Sequence, residues 1–263
     1  MTDAPLAEGE AIDKLAASDR LLVALDFDGT LSPLEDEPMD ARMLPAAREA
    51  VDALVATPDT IVAFVSGRSL VDLRVIAEHD DTSRVLLAGS HGAEFWIPGE
   101  GLVSHGEDET DVALRDTLRG HAEDATAHLD GVWIEPKTFG FGVHTRRATA
   151  EAAEEANRRV DAIVAGEAPH WRRRTGHNIV EFAFRHEGKD SAIAELRERV
   201  GATAVLFAGD DVTDEDALAS LGEDDLGVRV GEGPTSATVR VADIAALAVL
   251  LQQLAEARSR RRA

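Results

Sequence analysis

Leu21-Leu22-Val23-Ala24-Leu25 is an uninterrupted apolar run, and it passes directly into Asp26-Phe27-Asp28-Gly29-Thr30. A continuous Leu/Val run of this length predicts a strand covered on both faces, as in a parallel sheet. Gly29 predicts the turn that ends it. Similar runs at 60–65, 84–88, 203–208 and 226–230 predict further buried strands, and residues near 45–56, 69–78, 189–200, 213–221 and 242–256 predict the helices between them. Alternation of this kind implies a doubly wound parallel sheet, a Rossmann-like α/β core with right-handed crossovers. Between these segments the rhythm changes. A polar helix over 111–130 precedes two strands, 131–135 and 139–145; a second helix, 148–164, precedes two more, 170–173 and 178–184. Helix-strand-strand repeated twice predicts a small α/β unit with an antiparallel sheet, inserted as a lid. The expected division is a core of residues 1–105 and 187–263 and a cap of 106–186.

With no Cys among 263 residues, disulfides and thiolate metal sites are excluded, so any metal must be held by oxygen or imidazole. A net charge of −23 opposes binding to a phosphate backbone or an anionic membrane surface, so neither nucleic acid nor membrane is an expected partner. The first twenty residues do not resemble a secretory signal, and the longest apolar run, Ile244–Leu251, is too short to span a bilayer. A cytoplasmic, monomeric protein is the expectation. The basic tail Arg258-Ser259-Arg260-Arg261-Arg262 reads as a frayed helix end whose cations complement the dipole.

Three segments add chemistry to the Asp26/Asp28 pair. Gly209-Asp210-Asp211-Val212-Thr213-Asp214-Glu215-Asp216 also follows an apolar run, and its five carboxylates repel one another unless a hard cation such as Mg²⁺ relieves them. Asp210, nearest the strand end, is the expected ligand; Thr213 and Asp216 are assigned to a helix cap, while Asp211 and Asp214 are expected either to bind the metal or to support its ligands. Ser66-Gly67-Arg68 follows the strand at 60–65, where a Gly lets backbone N–H groups approach an anion, although a plain helix-capping turn reads the same way. Lys189 stands at a helix start, where a cation opposes the dipole and a specific role is the natural explanation. Only three of the 27 basic residues are Lys, so the use of Lys189 and Lys137 in place of the prevalent Arg points to a need for a compact point charge at each.

DFDGTL at 26–31, SGR at 66–68, Lys189 and GDD at 209–211 occur in the order of the haloacid dehalogenase superfamily, which this chain resembles. That resemblance implies that Asp26 is a nucleophile forming an aspartyl phosphate and Asp28 a general acid and base. It further implies that Ser66 and Lys189 hold phosphoryl oxygens, with Gly67 and Arg68 also placed at the substrate. Mg²⁺ would be held by Asp26, Asp210 and the backbone carbonyl of Asp28. More closely, LDFDGTLSP, SGRS, GSHGAE at 89–94, Glu135-Pro136-Lys137 through His144-Thr145-Arg146, and GDDVTDED are similar to the trehalose-6-phosphate phosphatases. This implies a sugar-phosphate substrate, with Glu135, Lys137 and Glu181 contacting the sugar. Thr145 stands where that family commonly has Tyr. Other sugar phosphates, sucrose or glucosylglycerol phosphate, and a silent phosphate-binding regulatory module are the competing expectations. Arg172, Arg173 and Arg174 are read as edge-strand decoration.

Overall fold

Leu21, Leu22, Val23, Ala24 and Leu25 are all fully buried, so the strand that opens the sequence pattern lies at the middle of the fold. In the computed structural model, which describes residues 8–104, 109–176 and 178–262, the chain forms two compact units, Met1–Ser104 with Glu187–Ala263, and His105–His186.

The first unit begins with α1 (Glu8–Ala17), β1 (Leu21–Leu25), α2 (Pro45–Ala56), β2 (Thr60–Val65), α3 (Leu70–Ile76), β3 (Leu86–Gly89), β4 (Glu94–Ile97) and β5 (Gly101–Ser104). The second unit supplies α4 (Glu109–Thr126), β6 (Trp133–Lys137), β7 (Gly140–His144), α5 (Ala150–Glu167), β8 (Arg172–Gly176) and β9 (Ile179–Ala183). The chain then completes the first unit with α6 (Lys189–Val200), β10 (Ala204–Gly209), α7 (Glu215–Ser220), β11 (Leu226–Val230), β12 (Val239–Val241) and α8 (Ile244–Arg262).

The first unit carries an eight-stranded sheet in the order β12-β11-β10-β1-β2-β3-β4-β5. Pairing is parallel from β12 to β3 and antiparallel through β4 and β5. Alternate residues of β1 feed opposite cores: Leu21, Val23 and Leu25 join one apolar cluster, Leu22 and Ala24 the other. Shortening Leu25 to Ala would therefore leave a cavity and cost about 2–5 kcal/mol.

The second unit carries a four-stranded antiparallel sheet ordered β6-β7-β9-β8. Phe141, Val143, Val180 and Phe182 are buried on one of its faces, as are Leu118 and Ala122 of α4 and Ala156, Val160 and Val164 of α5. That alternation leaves Trp133, Glu135, Lys137, His144, Glu181, Arg172 and Arg174 on the other face.

Four elements go beyond those the sequence pattern predicts: α1, β4, β5 and β12. β4, β5 and β12 span three or four residues each, and α1 buries only a narrow stripe of Ala11, Ile12, Leu15 and Ala16. The basic tail needs correction at one residue. Arg258 is fully buried, and its guanidinium donates to Thr60 Oγ1 and to the carbonyls of Leu15, Ser18 and Asp59, tying α8 to the chain around β1 and β2. No described helix is long and apolar enough to cross a membrane.

Candidate active site

β1 pairs with β10 on one side and β2 on the other, with Leu25 opposite both Ala208 and Phe64. Three strand ends therefore stand abreast. Asp26 is the first residue past β1 and its N–H donates to the Ala208 carbonyl at 2.9 Å; Asp210 follows β10, and Ser66 follows β2. This is the carboxyl edge of the parallel strands, where open α/β sheets place their ligands.

The turn after Asp26 is tight. Leu31 and Ser32 both donate backbone N–H groups to the Phe27 carbonyl at 2.9 Å, and Gly29 donates to the Ser32 carbonyl at 2.7 Å. Gly29 has φ +81°, and a Cβ there would collide with the Asp210 carboxylate. A side chain is thus excluded twice, by backbone conformation and by the neighbouring acid.

Lys189 is the first residue of α6 and only 3% exposed. Its Nζ donates to Asp26 Oδ1 at 2.5 Å and to Asp214 Oδ1 at 2.6 Å. Burial alone would push the Lys189 ammonium down, but Asp214 and Asp26 more than reverse this and hold it above its usual range. Asp26 moves the other way from a normal acid: burial raises its carboxyl well above the ordinary value, Lys189 opposes the shift, and Asp214 and Asp210 add to it. Asp210 is pushed up to about 6, first by burial and then by Asp214, against the pull of Lys189 and a hydrogen bond from Thr30 Oγ1 at 3.1 Å.

Asp214 spends both oxygens inside the protein. While Oδ1 takes Lys189, Oδ2 accepts from the backbone N–H groups of Asp210 and Asp211 at 3.1 and 3.0 Å. The cap expected from Thr213 is instead made by Asp211, which accepts from Val212 N–H and forms a capping box with Asp214 around the single 3₁₀ turn Val212–Asp214. That turn precedes the helix proper, so the capping position falls two residues earlier than the sequence spacing predicts.

Asp26, Asp210 and Asp214 each place one carboxylate oxygen within 4.8 Å of the others. Three crowded carboxylates facing one ammonium leave negative charge in a buried place. That donor set suits a hard divalent cation, and Asp26 and Asp210 are the two whose oxygens are not consumed by backbone donors.

The Asp28 carboxylate projects elsewhere. Arg68 donates Nε to its Oδ2 and Nη2 to its Oδ1, each at 2.6 Å, a bidentate pair with side chains 18% and 25% exposed. Ser66 is 2% exposed, and its Oγ accepts from Arg68 N–H at 3.2 Å.

The second unit gathers its own polar cluster. Lys137 Nζ lies 2.9 Å from Glu135 Oε2 and 3.3 Å from Glu181 Oε1, while His144 Nε2 lies 2.6 Å from Glu135 Oε2. The register puts Glu135, Gly142, Glu181 and Arg174 in one row across all four strands. A Cβ at Gly142 would come within 2.9 Å of the Ile179 side chain and 3.6 Å of Glu135 Oε2. Burial alone would raise Glu135, but hydrogen bonding to His144 and the charge of Lys137 hold it below the usual range. Lys137, which burial would lower, is raised by Glu181 and Glu135. His144 stacks on Trp133 with ring centroids 4.5 Å apart and planes at 1°. In the sequence His144 stands out only as part of a motif; its two-residue alternation with Gly142 is the signal that places it on the same face. Arg173 faces the opposite side and pairs with Asp161 of α5, whereas Arg174 shares the face of Glu181. Thr145, in place of the Tyr common to the resembling family, is 9% exposed and donates Oγ1 to the Asn178 carbonyl at 3.2 Å.

A parallel core with carboxylates at adjacent strand ends, in a chain that carries an inserted α/β unit, is the arrangement that the resemblance to the haloacid dehalogenase superfamily implies. Residues 24–244 match the family model of the trehalose-phosphatases, and the chain belongs to that family. It is 33% identical over 252 residues to the bifunctional trehalose-6-phosphate synthase/phosphatase of Thermoproteus tenax, covering 93% of this chain and 34% of that protein. Against the trehalose-phosphate phosphatase of Mycobacterium leprae it is 29% identical, with 83% and 53% covered. An uncharacterized glycosyl hydrolase of Mycobacterium tuberculosis is 32% identical over 93% of this chain, which spans 19% of that protein. The chain thus corresponds to about half or less of these relatives. Among solved structures, the C-terminal domain of the Candida albicans trehalose-6-phosphate phosphatase shares the fold with TM-score 0.81 at 20% identity, covering 95% and 97% of the two chains. The C-terminal domain of the Candida albicans trehalose synthase regulatory protein does so with TM-score 0.74 at 15% identity, covering 96% and 100%.

Proposed function

We propose that this chain is a Mg²⁺-dependent phosphatase that hydrolyses trehalose 6-phosphate to trehalose and phosphate. The observation that carries the reading is the buried set of Asp26, Lys189, Asp214 and Asp210 at the ends of β1 and β10, joined to membership of the trehalose-phosphatase family.

In this reading an oxygen of Asp26 bonds to phosphorus as the bond to the sugar oxygen breaks, giving an aspartyl phosphate. Asp28 delivers a proton to the departing sugar oxygen, then takes one from the water that attacks phosphorus and releases Asp26. A carboxylate and a phosphate dianion repel each other, so cations must neutralise the phosphoryl oxygens before they can meet. Lys189 supplies one such charge and Ser66 a hydroxyl donor. Asp26, Asp210 and the backbone carbonyl of Asp28 would hold Mg²⁺, which supplies further positive charge to the same oxygens. Asp214 orients Lys189. In the second unit Glu135, Lys137 and Glu181 offer charge-assisted hydrogen bonds to sugar hydroxyls. A small sugar phosphate in a reducing cytoplasm is the setting that such a site and a chain without Cys fit.

Because a regulatory protein shares this fold, fold alone does not decide for turnover. Phosphate release from trehalose, sucrose and glucosylglycerol phosphates, each with and without Mg²⁺, tests the reading. Metal-dependent release fastest from trehalose 6-phosphate is expected; no release from any of them would make the chain a binding module.

A further inference from the structure

We propose that Arg68 is the positioning residue for Asp28, holding the carboxylate of the acid and base, and that it is not a ligand of the substrate phosphate. The inference rests on the proposed role of Asp28 as acid and base. A planar guanidinium that donates two bonds to both oxygens of one carboxylate fixes its rotation as well as its place, which a single bond or a lysine does not. Both donors of the pair are at 2.6 Å, so the Nε/Nη2 edge of the guanidinium faces the Asp28 carboxylate.

Arg68 can do this because its backbone is braced from the next strand, by the GSHGAE segment at 89–94. Ser90 and His91 follow β3 with φ of 49° and 58°, a left-handed conformation that non-glycine residues adopt at a cost of about 1–3 kcal/mol each. That conformation turns two N–H groups onto the loop after β2: Ser90 donates to the Arg68 carbonyl at 2.6 Å and His91 to the Ser66 carbonyl at 2.9 Å. The His91 ring, 8% exposed, covers Gly67 so closely that a Cβ there would come within 2.6 Å of it. Glu94 completes the brace, its Oε2 accepting from Ser90 Oγ at 2.7 Å and from Leu70 N–H at 3.2 Å at the start of α3. The strained turn, the ring on Gly67 and the Glu94 bridge leave the 66–68 loop little freedom, and the guanidinium it carries is delivered to one place. Pre-organisation of this kind is what a proton-transfer group requires.

The test is a double-mutant cycle on the full chain with Mg²⁺ present, using Arg68→Gln, Asp28→Asn and the pair, with Arg68→Lys as the milder variant. Positioning predicts that Arg68→Gln lowers kcat on trehalose 6-phosphate about 100-fold, the low end of what general acid and base catalysis contributes. Inhibition by inorganic phosphate should stay within about two-fold, and p-nitrophenyl phosphate, whose leaving group needs no proton, should lose less. In the Asp28→Asn background Arg68→Gln should add less than about a two-fold further loss, because the two residues act as one unit. Arg68→Lys should recover part of kcat. Inhibition by phosphate weakened ten-fold or more, or losses that multiply in the double variant, would make Arg68 a phosphate ligand and overturn the proposal. Asp28→Asn with wild-type turnover is a different signature: it removes the role of Asp28 itself, and the proposal with it.

Discussion

Two lysines in this molecule each sit between two carboxylates, and their surroundings could hardly differ more. Lys189 joins Asp26 and Asp214 with side-chain exposures of 3%, 6% and 0%; Lys137 joins Glu135 and Glu181 with 24%, 36% and 16%. The first trio is held by backbone: Asp26 by strand pairing to Ala208, Asp214 by two N–H donors, Lys189 by the start of α6. The second is held by side chains on one face of a small sheet and is partly exposed. Removing one member of a buried ion set leaves an uncompensated charge and costs several kcal/mol, whereas the same loss in a more exposed set costs less. In the proposed function the rigid trio serves the phosphoryl group and the softer one the sugar, and that difference in burial is what substitutions can test.

Asp26→Asn strikes the rigid trio hardest. In the proposed mechanism Asp26 is the nucleophile, so turnover should fall by at least about 10⁴-fold with the circular dichroism spectrum unchanged, binding and positioning alone remaining; appreciable residual phosphate release would return the nucleophile's role to another group. Next in size is Lys189→Met, which strands Asp26 and Asp214 as buried like charges. A loss of about 3–5 kcal/mol in urea denaturation is expected, against less than about 1 kcal/mol for Lys137→Met; equal losses would erase the distinction between the two trios.

Glu135→Ala and Lys137→Ala should each lower kcat/KM for trehalose 6-phosphate by about 10–100-fold, the worth of one or two charge-assisted hydrogen bonds, while p-nitrophenyl phosphate is affected less than about three-fold. Parallel losses on both substrates would move these residues from sugar recognition to the common chemistry. The smallest effect is in pH. Asp210, raised from 3.8 to about 6, binds more protons folded than unfolded across that window, so the metal-free protein should lose stability as pH rises from 3.8 to about 6. Mg²⁺ affinity should run oppositely, strengthening as Asp210 ionises through about pH 6. Calorimetric titration of Mg²⁺ at about pH 5, 6 and 7 reads this directly, and an affinity flat across that range would remove Asp210 from the ligands.

Legibility follows the same division. β1, β2 and β10 are long, apolar and closed by Asp, Ser or Gly, and their observed spans lie within a residue of those the pattern predicts. β4, β5 and β12 are three or four residues long and carry no periodicity of their own; pairing to a neighbour makes them strands. Within the site, Asp26, Ser66, Lys189 and Asp210 can be picked out because each stands at the boundary of a strongly patterned element. Asp214 cannot be separated from its four acidic neighbours by pattern, since its two backbone donors come from a turn that only folding creates. The expected Thr213 cap is absent for the same reason, a 3₁₀ turn having displaced the helix start. Arg258 has the local look of a cation at a helix end and is instead a fully buried bolt, because the carbonyls it serves lie about 200 or more residues away in sequence.

Strand and helix periods, the break in rhythm that marks the inserted unit, and the acids and lysine at strand and helix ends are therefore written in the sequence alone. Side-chain alternation and capping set these properties within a few residues. Partnership came only with the fold. That Asp214 orients Lys189, that Arg68 turns to Asp28, that the GSHGAE turn braces Arg68, and that Glu135 and Glu181 share one row are matters of register and crossover. Residues distant along the chain meet because β1 takes β10 and β2 as neighbours, and no local pattern encodes which carboxylate a given cation will find there.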